Sequence, residues 1–111
     1  MSLVVSDGRV FRALAHPSRR RLLDRLHGRD GQTLAEMMKG GGMTRQGVSK
    51  HLQVLEEADL VLTERRGREK LHFLNPVPLQ EIYDRWIGKY QKHRLEALVN
   101  LKAALEKEDE L

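Results

Sequence analysis

The sequence predicts a single, mainly α-helical domain with one small β-hairpin. Its 111 residues suit one domain, and 40% hydrophobic but only 5% aromatic residues predict a modest core of Leu, Val, Ala and Met. Apolar residues recur at helical spacing through most of the chain, whereas residues 60–75 have the pattern of two short strands. A two-domain enzyme is disfavoured by this length, and a membrane span is excluded because the apolar runs are too short.

The net positive charge lies outside the acidic C-terminal tail. Residues 1–105 carry 19 of the basic and 12 of the acidic residues, a net charge of +7, whereas residues 106–110 hold four acidic residues and one basic residue. A basic folded part favours a polyanionic partner. Because cysteine is absent, disulfides, thiolate metal sites and cysteine nucleophiles are excluded. The lack of cysteine and of a signal-peptide pattern leads us to expect a cytoplasmic protein without a membrane partner.

The first part of the chain predicts two helices that are separated by a proline. Asp7 is expected to cap a short first helix, within residues 1–15. Pro17 is tolerated at a first helical position, so it is expected to open a second helix that ends near Gly28.

The next part predicts two helices with clear capping signals. Thr33 and Glu36 have the spacing of a capping box, which predicts a short third helix, and Thr44 is expected to cap a fourth helix that ends at Ala58. Apolar positions on the fourth helix share one face, opposite a face with Gln46, Ser49, Lys50 and Gln53. Residues 17–58 therefore have the pattern of a helix-turn-helix, whose second helix enters the DNA major groove.

Residues 60–75 predict a β-hairpin, which we call the wing. Its tip places Arg65, Arg66 and Arg68 around Gly67. A hairpin with this much charge needs a helix beneath it and an anion in front of it. Glu64 and Glu69 are expected to pair with some of these cations and to lower the effective charge.

Residues 78–106 predict one long final helix, followed by a solvated acidic tail at 107–111. The roughly 29 residues would span about 43 Å, which is too long for this small core. An apolar helix face that extends beyond the core of its own domain is normally buried against a second copy of the chain. We therefore predict a fold that dimerises through its terminal helices. The residues predicted at this interface are Val10, Phe11, Leu14, Leu79, Ile82, Tyr83, Trp86, Tyr90, Leu98 and Leu101.

Three ordered segments carry a family resemblance that covers nearly the whole chain. These segments are Leu14–Leu23, Met43–Leu52 and Leu55–Val61. They resemble the second helix, the recognition helix and the run into the wing of the ArsR family of dimeric winged-helix transcriptional repressors. The resemblance implies a winged helix-turn-helix fold and a homodimer that binds a pseudo-palindromic double-stranded DNA operator. Residues 66–72 and 82–86 resemble a branch of this family that lacks metal ligands.

Metal sensing of the kind known in this family is not expected, and no cofactor is predicted. Residues 33–39 hold no cysteine for a thiolate site. The family's second site uses Asp-x-His and His-x-x-Glu, but Trp86 replaces the first histidine, although His93 and Glu96 keep the second half. We therefore expect His93 and Glu96 to be neighbours on a solvated helix face, with a weak zinc site across a dimer as the alternative.

The predicted DNA contacts come from the fourth helix, the wing and the start of the second helix. Base-edge contacts are predicted for Gln46, Ser49, Lys50 and Gln53, and phosphate contacts for Thr44 and Arg45. Phosphate or minor-groove contacts are predicted for Arg65, Arg66, Arg68 and Lys70. Arg19 is expected to reach a phosphate, and His51 either donates to a phosphate or packs partly buried.

These patterns predict a sequence-specific DNA-binding regulator, an autorepressor, with no enzyme activity. Residues 42–47 have the glycine spacing of a P-loop, but Val48 stands where the lysine belongs. The alternative is a winged-helix protein-interaction module without specific DNA binding, in which an aromatic stripe engages another protein. A small-molecule effector near Trp86 is a further hypothesis, and ordinary packing of the aromatic residues is the competing interpretation.

Overall fold

The predicted fold class, mainly α with a small β-hairpin, is confirmed. The computed structural model describes residues 3–90 and 92–109. In chain order, these residues form α1 (Leu3–Leu14), α2 (Pro17–Gly28), α3 (Leu34–Met38), α4 (Arg45–Glu57), β1 (Val61–Arg66), β2 (Glu69–Leu74), α5 (Val77–Ile82), a π-helical segment (Tyr83–Ile87) and α6 (Lys92–Asp109). The chain divides into two compact units, of which the first ends at Gln80 and the second begins at Glu81. No helix in the described ranges is both long and apolar enough to cross a bilayer.

The boundary between α1 and α2 follows the proline signal. Pro17 opens α2, and the backbone N–H of Ser18 donates to Nδ1 of His16 at 3.1 Å, which makes His16 the N-cap. The prediction for Asp7 is wrong, because α1 begins at Leu3 and Asp7 lies inside that helix. A capping preference is a weak signal, and the surrounding sequence continues the helix past it.

The capping signals predicted for α3 and α4 are both present. Thr33 and Glu36 form a complete capping box at the start of α3. The backbone N–H of Gly47 donates to the hydroxyl oxygen of Thr44 at 3.0 Å, which fixes the start of α4. Gly40 and Gly42, in the connection between these helices, have positive φ angles that favour glycine.

The C-terminus of α4 ends in a Schellman motif that leads directly into the wing. The N–H of Leu60 donates to the carbonyl of Leu55, and that of Asp59 to the carbonyl of Glu56, each at 3.0 Å. Asp59 adopts the left-handed conformation, with φ 60°, and both leucines are 0% exposed. The end of α4 and the start of β1 are therefore joined by buried contacts as well as by the chain.

The wing is an antiparallel hairpin whose register runs from Val61 opposite Leu74 to Arg66 opposite Glu69. Gly67 lies in the turn, with φ +62°. An isolated antiparallel bridge between Gln32 and His72 ties β2 to the turn between α2 and α3.

The core of the first unit is formed by apolar residues from the helices and from β1. The residues predicted on the inner face of α4 are buried, with Val48, Leu52 and Leu55 at most 2% exposed. Val10 is 2% exposed, so it belongs to the core of this unit rather than to an interface. Ile82, which belongs to the second unit, is 4% exposed in the single chain. Apolar periodicity identifies a buried face, but it does not distinguish burial within a chain from burial between chains.

The prediction of one continuous helix over residues 78–106 is wrong. The backbone N–H of Gly88 donates to the carbonyl of Tyr83, which is a π-type bond, and the helix ends there. A Cβ at Gly88 would lie 2.9 Å from the Tyr83 oxygen, so this turn requires glycine. Gly88 thus interrupts the helix that the sequence pattern predicted to continue.

Candidate nucleic-acid interface

The outer face of α4 carries the side chains that were predicted to read base edges. Gln46, Ser49, Lys50 and Gln53 are exposed, and the apolar face of the same helix is buried. Nε2 of Gln53 lies 3.5 Å from a carboxylate oxygen of Glu57, so its amide has a weak intrahelical partner. The side chains therefore point to solvent from a helix that is held by its opposite face, as groove reading requires.

The N-terminus of α4 is shaped by Thr44 and Arg45. The hydroxyl oxygen of Thr44 accepts the capping bond from Gly47, and the hydroxyl hydrogen stays available for donation. Arg45 is exposed in the first turn, where its guanidinium adds to the positive end of the helix dipole. This end of α4 therefore favours an anion.

The wing cations differ in whether they have an acidic partner. Arg66 pairs with Glu64 at 3.3 Å, as predicted, and Nζ of Lys70 lies 3.2 Å from a carboxylate oxygen of Glu56. Among the residues that the structure describes, Arg65 and Arg68 have no ion-pair partner, and Glu69 pairs with none of these cations. Arg65 and Arg68 thus carry the uncompensated charge of the wing.

The contact between Lys70 and Glu56 was not anticipated from the sequence. It joins β2 to α4, and only the folded positions of the two elements bring these residues together. A cleft of about 430 Å³ lies beside this contact, lined by Arg45 and Ser49 from α4 and by Arg68 and Lys70 from the wing. Helix and wing therefore present their cations around a shared concave surface.

Arg19, which is predicted to contact a phosphate, makes hydrogen bonds within the protein. Its Nε donates to the carbonyl of Ala13 at 2.7 Å, its Nη2 donates to the carbonyl of Arg12 at 2.9 Å, and its Nη1 lies 3.4 Å from Nδ1 of His51. Arg20 donates to the carbonyl of Leu14 at 2.6 Å. The last carbonyls of a helix lack intrahelical partners, so these arginines cap the C-terminus of α1.

His51 has the packing role that the sequence left open. Its ring is half-buried, and its centroid lies 4.5 Å from that of His16, at an angle of 51°. Burial, followed by the charges of His16 and Arg19, lowers the pKa of His51 below its ordinary value. Both side chains are thus engaged within the protein, and the DNA contacts predicted for Arg19 and His51 stay predictions.

The described side chains form no cluster that could bind a metal ion. Within that set, no group of three or more His, Asp and Glu residues could hold a metal ion. The side chain of His93 lies outside the described residues, so its pairing with Glu96 stays a prediction.

Comparison with known sequences identifies relatives of this domain. Residues 14–64 match the family described as helix-turn-helix domain, HTH_20. The chain is 37% identical to the HTH-type transcriptional regulator YuzN of Bacillus subtilis, over 70% of this chain and 91% of that protein. It is 32% identical to the transcriptional repressor SdpR of the same organism, over 65% of this chain and 79% of that protein.

Solved structures show the same fold. An ArsR-like transcriptional regulator from Rhodococcus sp. RHA1 superposes with a TM-score of 0.68 at 28% identity, over 88% of this chain and 93% of that one. The ArsR family regulator RHA00566 matches with a TM-score of 0.68 at 28% identity, over 78% of this chain and 88% of that one. With its helix-turn-helix, its wing and a sequence free of cysteine, this chain belongs to the ArsR family of winged helix-turn-helix transcriptional regulators, in the branch that lacks the cysteine metal-sensing motif.

Proposed function

We propose that this protein is a homodimeric repressor that binds a pseudo-palindromic DNA operator through α4 and the wing, without enzymatic activity. The observation that carries the proposal is the shared cleft, where exposed donors of α4 lie beside wing cations. Gln46 and Lys50 suit base edges in the major groove, and Arg65 and Arg68 suit the phosphate backbone. Similarity to a protein named as a repressor supports repression as the regulatory output. Such a repressor acts in the cytoplasm, where its operator is.

The exposed apolar residues of the second unit support the homodimer. Tyr83, Trp86, Tyr90, Leu98 and Leu101 are each between 52% and 63% exposed in the single chain. Soluble monomers rarely leave large apolar patches in water, and a second copy would bury these side chains. Two copies would hold two α4 helices about 34 Å apart, one duplex turn, and so read a full site.

The first experiment selects DNA from a genomic fragment library with the purified protein, at two salt concentrations and with or without a chelator. Retention of a dyad-symmetric sequence that is independent of the chelator is the expected result. Retention without sequence preference, or none, would contradict the repressor and favour the protein-interaction module. Loss of specific retention with the chelator would instead favour a metal site that includes His93 and Glu96.

A second experiment tests the dimer by sedimentation and operator binding. Leu98→Glu places a charge on the exposed apolar surface of α6, so we expect a monomer that keeps its helical circular dichroism but binds the operator far more weakly. Lys102→Glu is the matched control on the same helix, because it adds an acid at an exposed position that is already polar. A Leu98→Glu protein that remains dimeric would remove α6 from the proposed interface.

A further inference from the structure

We propose that His16, His51 and Arg19 form a proton-sensitive clamp that positions the recognition helix α4, so that acidification weakens specific DNA binding. The DNA part of this inference rests on the proposed function. The behaviour of the clamp itself can be measured without DNA.

Hydrogen bonding defines the protonation state in which the clamp is closed. The backbone N–H of Ser18 donates to Nδ1 of His16 at 3.1 Å, so this nitrogen carries a lone pair. Nη1 of Arg19 lies 3.4 Å from Nδ1 of His51, and a guanidinium can only donate, so Nδ1 of His51 must also accept. In the closed clamp, Nδ1 of each imidazole therefore accepts a hydrogen bond.

Protonation of His51 removes the acceptor that faces Arg19. A proton on Nδ1 of His51 would face the Arg19 guanidinium, and a charged His51 would stand against His16, whose ring centroid is 4.5 Å away. His51 and Arg19 are half-buried and His16 is exposed, and positive charges this close to His51 disfavour its protonated form. The clamp therefore loses a hydrogen bond and gains repulsion when His51 becomes charged.

The surroundings supply no acid to neutralise this charge. In the described part of the chain, the charges that act on His51 are those of His16, from the turn between α1 and α2, and of Arg19, from α2. Among the elements that pack on α4, Glu36 of α3 pairs with Arg29 and Glu64 of β1 pairs with Arg66. Asp7 of α1 and Asp24 of α2 are not among the charges that act on His51. On α4 itself, Glu57 lines a separate cleft with Arg9 and Arg12 of α1.

The clamp is connected to the DNA-reading face through α4. His51 follows Ser49 and Lys50, which lie on the DNA-reading face, in the sequence of α4. Val48 and Leu52, on either side of these three residues, anchor the helix in the core. Arg19 also holds the carbonyls of Arg12 and Ala13, so one side chain links α1, α2 and α4. Repulsion at His51 therefore displaces α4 from the α1–α2 turn and shifts the outward side chains beside it.

The test compares the wild type with His51→Asn, whose amide oxygen can take the acceptor position of Nδ1 without titrating. The DNA probe is the duplex recovered from the fragment library at pH 7.5. Between pH 7.5 and 5.5, we expect the wild type to lose about three- to tenfold more affinity than the variant, since each unit of pKa shift corresponds to a factor of ten. His16→Asn, which keeps an N-cap acceptor for Ser18, should show part of the same flattening. His27→Asn, at an exposed position of α2, should keep the wild-type profile.

A second readout uses the protein without DNA. Hydrogen-exchange protection of the α4 amides should fall with acidification in the wild type and less in His51→Asn. Equal pH profiles for these two proteins in both readouts would overturn the clamp. The clamp would also be overturned if acidification raised the DNA affinity of the wild type more than that of His51→Asn. His51 would then be a phosphate ligand. If no specific duplex is recovered, the proposed function fails, and the protection measurement alone decides on the clamp.

Discussion

Nδ1 of His72 lies 2.9 Å from the backbone carbonyl oxygen of Gln32, and the backbones of the same two residues form an isolated antiparallel bridge. A carbonyl oxygen only accepts, so Nδ1 of His72 carries the proton and donates. The two residues are 4% and 5% exposed. The side-chain amide of Gln32 donates in turn to the carbonyls of Arg25 and Arg29, at the end of α2. This contact fixes β2 of the wing against the helix-turn-helix.

Replacement of His72 should loosen this attachment. His72→Ala removes a buried hydrogen bond and leaves a void, so we expect a loss of about 1–3 kcal/mol in the free energy of unfolding. Urea denaturation measures it. The exposed His27→Ala is the control and should change stability by less than about 0.5 kcal/mol. Equal effects of the two substitutions would show that the buried bond contributes little.

Arg19→Ala should affect stability more than the electrostatics of DNA binding. The substitution leaves the carbonyls of Arg12 and Ala13 without their charged donor, so we expect a loss of about 1–2 kcal/mol in unfolding free energy. The salt dependence of operator binding should not change, because the Arg19 guanidinium is engaged within the protein. A salt slope reduced by about 1 would instead show that Arg19 contacts a phosphate.

The wing cations should contribute unequally to DNA affinity. Arg68→Ala should weaken binding to all sequences and reduce the salt slope by about 1, because Arg68 has no ion-pair partner in the described part of the chain. Lys70→Ala should reduce the slope less, since Lys70 already pairs with Glu56. Glu56→Gln frees Lys70 and should steepen the slope. Binding titrations at several salt concentrations test all three, and equal slopes for Arg68→Ala and Lys70→Ala would contradict this order.

Stability should fall as the pH falls below neutrality. The lowered pKa of His51 means that the folded protein binds fewer protons than the unfolded chain, whose histidine titrates near 6.5. The contribution of His51 is therefore fully present above pH 6.5 and is lost as the pH decreases through 6.5 toward the lowered pKa. Urea denaturation between pH 7.5 and 5 should show a steeper loss for the wild type than for His51→Asn. Parallel curves would contradict this assignment.

The helix-turn-helix could be predicted from local signals because its boundaries are set by neighbouring residues. Thr33 with Glu36, Thr44 and Pro17 each act within a few positions, and the structure uses all of them. The register of the wing follows from its turn at Gly67. These features depend on capping and turn chemistry, which sequence spacing shows directly.

Other features were missed because they depend on distant residues or on backbone crowding. Three contacts join separate elements: Arg19 with α1, Lys70 with Glu56, and His72 with Gln32. The periodicity of apolar residues in the sequence does not indicate such contacts. The break at Gly88 comes from the close approach of the Tyr83 carbonyl, which a count of glycines and prolines does not detect.

The Schellman motif at the end of α4 limits how a signal can release DNA. Leu55 and Leu60 are both fully buried, and the Lys70–Glu56 and His72–Gln32 contacts add further links between the wing and the helices. Recognition helix and wing therefore form one mechanical unit, without a hinge between them. Apart from a displacement of this unit against the α1–α2 turn, an effector of the proposed dimer can therefore change only the spacing and the rotation of the two units.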